Sequence, residues 1–161
     1  MTMLAIFFVG CAVFVPGGRD GRMPMHIKRQ NYDGKELRID GFYYDSKFSS
    51  FYLFGNGIYL YNGTGGGYNS LSETKQLILD YEINNQRYKD AVPWWGLFNI
   101  NYPNIVVETW MSGEGCSRYR TDTFHGKILN DTTILFSDYP DTTTFHFCKF
   151  IKPDSTNRFI E

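Results

Sequence analysis

Phe48-Ser49-Ser50-Phe51-Tyr52-Leu53-Phe54-Gly55-Asn56-Gly57-Ile58-Tyr59-Leu60-Tyr61 carries the strongest structural signal in the chain. Two aromatic-rich arms flank Gly-Asn-Gly, whose residues tolerate positive φ and so close a tight antiparallel hairpin. Upstream, Leu37-Arg38-Ile39-Asp40 alternates like a strand and runs through Gly41, a bulge or bend position, into Phe42-Tyr43-Tyr44. Downstream, Trp95 to Ile100 meets the turn Asn101-Tyr102-Pro103-Asn104, and Ile105 to Trp110 returns. Arg118 to Leu129 forms a longer strand, curved at Gly126. Asn130-Asp131 turns it into Thr132 to Ser137, and Thr143 to Phe150 completes the set. The reading is all-β: an antiparallel meander of about eight strands that curls into a small barrel or half-barrel.

One helix interrupts the meander. Ser70-Leu71-Ser72-Glu73 has the spacing of a capping box, and Leu71, Thr74, Ile78 and Tyr81 fall near one face, which predicts a helix over residues 71–81 packed against or across an opening of the sheet. The run Leu77 to Ile83 also tolerates a strand. Pro93 ends any helical continuation, and Trp94-Trp95 follow it directly. The glycines of Asn62 to Gly67 read as a flexible connection, since no Gly-Lys-Ser/Thr follows and no complete Gly-x-Gly-x-x-Gly is present.

With 161 residues the chain fits a single domain, assigned to residues 36–161, that can bury a core without metal or disulfide. Fourteen Phe, twelve Tyr and three Trp supply sheet-packing rings, and Tyr can keep its hydroxyl at water while its ring is buried. A formal charge of −1 offers no general attraction to nucleic acid, so no nucleic-acid partner is expected.

Residues 1–15 hold an apolar run, Met3 to Val15, closed by Pro16-Gly17-Gly18. The run is too short to span a bilayer as an ordinary helix and has the length of a signal-peptide core. Phe8-Val9-Gly10-Cys11 resembles a bacterial lipobox, which implies lipidation at Cys11, membrane attachment through that lipid and a place in the bacterial cell envelope, on the outer membrane. The other reading of the same run is a buried first strand. Residues 16–35, with Gly17, Gly18, Gly21, Pro24 and Gly34 among Arg19, Arg22, Lys28 and Arg29, read as a linker.

Phe51 to Gly57, Trp95-Gly96-Leu97-Phe98 and Gly126 to Thr133 are the segments by which the chain from Leu37 to Ile160 resembles lipocalin-like, or calycin-like, barrels. The whole chain is similar to small uncharacterised envelope lipoproteins common in Bacteroidetes. The resemblance implies a fold and carries over no ligand residue, because the Gly-x-Trp of lipocalin first strands reads Gly41-Phe42-Tyr43 here.

The chemistry-bearing residues form no motif. Gly-x-Ser-x-Gly, Cys-x-x-Cys and His-Glu-x-x-His are all missing, so the chain reads as a non-enzyme with no cofactor. His125, His146 and Cys148 share no compact ligand spacing, so no metal site is assigned, and His26 lies in the irregular segment. Cys116 and Cys148 are open to disulfide pairing in an exported chain. Glu108 lies in an apolar strand: facing inward it needs a donor such as Arg118 or Arg120, and facing outward it is solvated.

The leading functional expectation is a tethered binding module for a small apolar or amphipathic ligand. Tyr43, Phe54, Tyr59, Trp94, Trp95 and Trp110 are its candidate contacts and Glu108 an orienting group, with the site at the end of the meander near residues 71–81 and Ala91 to Trp95. The alternative is a structural or interaction subunit of an envelope complex, docking an envelope protein through a patch containing Tyr32, Tyr102 or Tyr119.

Overall fold

The computed structural model describes residues 21–62, 69–112, 119–139 and 141–160. Cys11, Cys116 and Arg118 lie outside them, as does the apolar run at residues 3–15. Eight antiparallel strands form a closed barrel in sequence order, with the last paired to the first. They are β1 (Gly41–Tyr44), β2 (Ser50–Leu53), β3 (Ile58–Asn62), β4 (Trp95–Asn101), β5 (Asn104–Ser112), β6 (Tyr119–Asn130), β7 (Thr133–Tyr139) and β8 (Asp141–Lys149). The expected hairpin is β2 and β3, with Leu53 opposite Tyr59 and Ser50 opposite Asn62. Gly57 takes φ +78° in its turn, and a Cβ there would sit 2.1 Å from the Gln30 carbonyl oxygen, so glycine is required twice over.

Closure depends on Gly41. This residue faces Lys149 across the β1–β8 seam, and a Cβ on it would lie 2.0 Å from the Cys148 carbonyl oxygen. The strand expected from Leu37 therefore starts at Gly41. Leu37 instead enters the barrel from below: it is fully buried in the interior cluster, its amide donates to the Tyr32 hydroxyl, and the Arg38 amide donates to the Asp131 carbonyl. Together with Tyr32 and Ile39 it plugs the end of the barrel that carries the β2–β3, β4–β5 and β6–β7 turns.

Alternation along each strand sorts the side chains into two cores. Tyr43, Phe51, Leu53, Phe98, Ile105, Val107, Ile134, Phe136 and Phe145 fill the plugged half of the interior. Their rings interlock, with Phe51 4.9 Å from Phe145 and 5.5 Å from Tyr43 between centroids. The second core lies outside the barrel, where Phe42, Tyr52, Ile58, Leu60, Trp95 and Trp110 are covered by Ile78, Tyr88, Val92 and Phe159. This covering layer comprises α1 (Leu71–Leu77), a wider π-type turn over Ile78–Asn84, and two short 3-10 turns at Arg87–Asp90 and Val92–Trp94. The capping pattern forms with a shift: Ser70 Oγ accepts from the Glu73 backbone amide, and the Glu73 carboxylate accepts from the backbone amide of Asn69, one residue before the cap. The helical layer lies on the barrel wall, because its buried residues pack against outward-facing strand residues.

Residues 21–35 contain no regular element, yet the barrel holds them at several points. The Met23 amide donates to the Tyr119 carbonyl and the Tyr32 amide to the Gly55 carbonyl. Lys152 ties the C-terminal segment down in the same way, its ammonium donating to the Ile39 and Leu53 carbonyls at 2.5 and 3.0 Å.

Candidate ligand-binding site

The unplugged half of the barrel is hollow. A cavity of about 860 Å³ opens at the end that carries the β1–β2 and β7–β8 connections. Register explains it. Tyr59 lies beside Gly96, Gly96 opposite Thr109, and Thr109 opposite Asp122, so this inward row carries one ring, no side chain, a small polar group and a carboxylate. One step toward the plug, Phe98, Val107 and Phe124 form the next inward row and supply bulk. A barrel of eight strands has room for one small ligand when its inward residues are small, and here they are small at one level only.

The inner wall is built by Tyr59, Tyr61, Thr109, Met111, Asp122, Phe124 and Thr143. Around the rim come Tyr44 to Ser49, Pro93, Asp141, Thr142, Thr144 and His146. The β1–β2 connection is a built loop. Asp45 Oδ1 accepts from the amides of Lys47 and Ser49, and the Phe48 amide donates to the Asp45 carbonyl. This turn holds Phe48 at φ +62°, a left-handed conformation unfavourable for a bulky residue, and lays its ring parallel to Tyr44 at 6.4 Å. Strained residues persist where the surrounding structure holds them, and they concentrate at ligand clamps.

Of the residues singled out in the sequence, Tyr59 lines the cavity. Tyr43 belongs to the filled half, its hydroxyl donating to the Arg38 carbonyl, and burial pushes its pKa far above the usual tyrosine value. Phe54, Trp94, Trp95 and Trp110 belong to the outer core. The Trp95 indole donates to the Tyr88 carbonyl and the Trp110 indole to the Met23 carbonyl, so both act as packing anchors. Pro93, next to the tryptophan pair, does reach the rim.

Glu108 follows neither expected course. It faces outward, between Leu97 and Thr123, but is fully buried because residues 23–27 cross over it. Its carboxylate accepts from the amides of His26 and Ile27 at 2.7 and 2.9 Å and lies 2.6 Å from His26 Nδ1. Backbone donors take the place of the arginines considered from sequence. Glu108 thus staples the N-terminal segment to the wall, away from the cavity.

His125 pairs with Asp138 on the outer surface, and His146 sits at the rim. Cys148 has no disulfide partner among the described residues, and Cys116, considered as its partner, lies outside them. Among the described residues no group of three or more His, Cys, Asp or Glu is placed to hold a metal ion, and no helix is long and apolar enough to cross a membrane. Tyr32 is packed against Phe98, Tyr119 against the outer core, and Tyr102 is exposed at the plugged end.

No family model, curated protein or solved structure matches the chain. The reading of the site therefore rests on its geometry. Six inner-wall residues besides Tyr59 escaped the sequence reading, although a signal existed: Thr109 and Met111, and Asp122 and Phe124, stand two apart in their strands and so share the inward face.

Proposed function

We propose that this barrel is a non-enzymatic binding module that takes one small amphipathic ligand through its open end. The observation that carries the reading is the aromatic-walled cavity of about 860 Å³ with a polar rim, within the range of small-molecule sites. Rings of Tyr59, Tyr61 and Phe124 offer apolar surface, while the threonines and aspartates of the rim offer hydrogen-bond partners to a polar end. A ligand so placed sits inside a rigid wall, since the strands around it are paired on both sides. The lipobox-like Phe8 to Cys11 supports an envelope tether for the module, an acyl mass on Cys11 being its check.

Calorimetric titration with octan-1-ol, a neutral amphiphile short enough to enter the cavity, tests the reading. The native protein binds saturably with one site, and Thr143→Trp, which places an indole in the inner wall, weakens binding at least about tenfold while the fold persists by circular dichroism. Equal binding by native protein and variant, or none by either, contradicts it.

A further inference from the structure

Resting on that cavity, we infer that the ligand carries a cationic amine and that the amine enters first, seating against Asp122. Of the residues that form the inner wall, Asp122 is the one that carries a charge. Register with Thr109 points it inward, in the same row as Tyr59 and Gly96. Among the described residues its ion pair is with Arg120, whose Nε stands 3.5 Å away on a side chain that is 65% exposed, against 32% for Asp122. Arg120 lies two residues nearer the mouth and does not line the cavity, and Lys47 is confined to the rim beside Asp45 and Asp141. A ligand end passing these groups meets a carboxylate in an aromatic-lined wall, and an ammonium there competes with the Arg120 guanidinium as the partner of Asp122. Ring faces carry negative potential and attract ammonium groups, and a carboxylate among low-dielectric walls acts more strongly than one at the surface. A carboxylate or phosphate on the ligand would meet the same field with the opposite sign. The small side chain of Thr109 leaves room for the head group in the Asp122 row, and Phe48 stacked on Tyr44 flanks the tail at the rim.

Octylamine, octan-1-ol and octanoate share one chain and differ in the charge of the head group at pH 7, so titrating all three separates the two claims. Native protein binds octylammonium about tenfold or more tighter than octanoate, with octanol between. Asp122→Asn and Asp122→Thr, the second chosen to favour strand structure, bring the two charged probes within about threefold while circular dichroism shows the fold retained. Octanoate binding as tightly as octylammonium, or a preference that survives both substitutions, overturns the inference while the cavity stands. Failure of octanol to bind native protein overturns both.

Discussion

Phe48 combines a strained backbone with a place at the rim of the cavity. A phenylalanine at φ +62° is costly, and the Asp45 turn holds it there so that its ring stacks on Tyr44 beside the cavity. Glycine adopts the same φ without that penalty. Phe48→Gly should therefore leave the unfolding free energy within about 1 kcal/mol of native, as relief of strain offsets loss of ring contact. Octanol affinity should fall about fivefold through loss of the rim wall, a change read by calorimetry beside urea melts. A variant that binds normally would show that the ring only covers Tyr44. Glu108 presents the reverse case, a chemically suggestive residue with a purely structural set of partners. Its two backbone donors were invisible in the sequence because they come from a segment 81 and 82 residues away.

At the scale of elements, the helical layer carries one unusual group. Glu82 lies in the π-type turn, buried against the outer aromatic core, and the Tyr52 hydroxyl faces its carboxyl without reaching good hydrogen-bond geometry. Tyr88 and, beyond Tyr52, Cys148 are the other titratable neighbours, and none of them supplies a positive charge. Burial raises the Glu82 pKa from 4.5 to about 8. The folded state then holds a proton that the unfolded chain has released, so the contribution of Glu82 to stability is greatest below about pH 4.5 and is lost as pH rises toward 8. Glu82→Gln removes this slope. The difference in unfolding free energy between native protein and variant should change by a few kcal/mol between pH 5 and 8.5, measured by urea denaturation. Parallel profiles for the two proteins would refute the assignment.

The same layer shows what was legible in advance and what was not. Ser70 to Glu73 announced the start of α1 through a local capping pattern, and that start is where it was expected. The π-type turn over Ile78–Asn84 was ambiguous because Leu77 to Ile83 is apolar at almost every position, which fits a strand or a buried helical segment equally. That the layer lies on the wall instead of across the mouth depends on Ile78 meeting outward-facing strand residues, a tertiary fact with no local signature.

For the whole molecule, period-two patterning and turn chemistry sufficed to read an antiparallel barrel, since each hairpin is specified by neighbouring residues. Closure was harder to see. It turns on Gly41 admitting the Cys148 carbonyl, a contact between chain ends, and a bulge is the local reading of such a glycine. Two consecutive tryptophans draw the eye in the sequence, and the structure packs both with the outer core, whereas the cavity wall includes small residues such as Thr109 and Thr143. A cavity is an absence of side chain at one level, and it becomes visible only when the register lines up residues from separate strands. The filled half, from Leu37 to Phe145, and the hollow half divide the interior between packed side chains and the cavity proposed to bind.

Met111 offers the most direct measurement of that division. Among the described residues' methionines it is the one that lines the cavity, while Met25 packs against the outer core and Met23 is exposed. With methyl-13C methionine and a titration of octan-1-ol followed by NMR, the account predicts a saturable shift of the Met111 methyl, assigned through Met111→Leu, with Met23 and Met25 unmoved. A stationary Met111 resonance while Met23 or Met25 shifts would place the ligand outside the barrel and contradict the account.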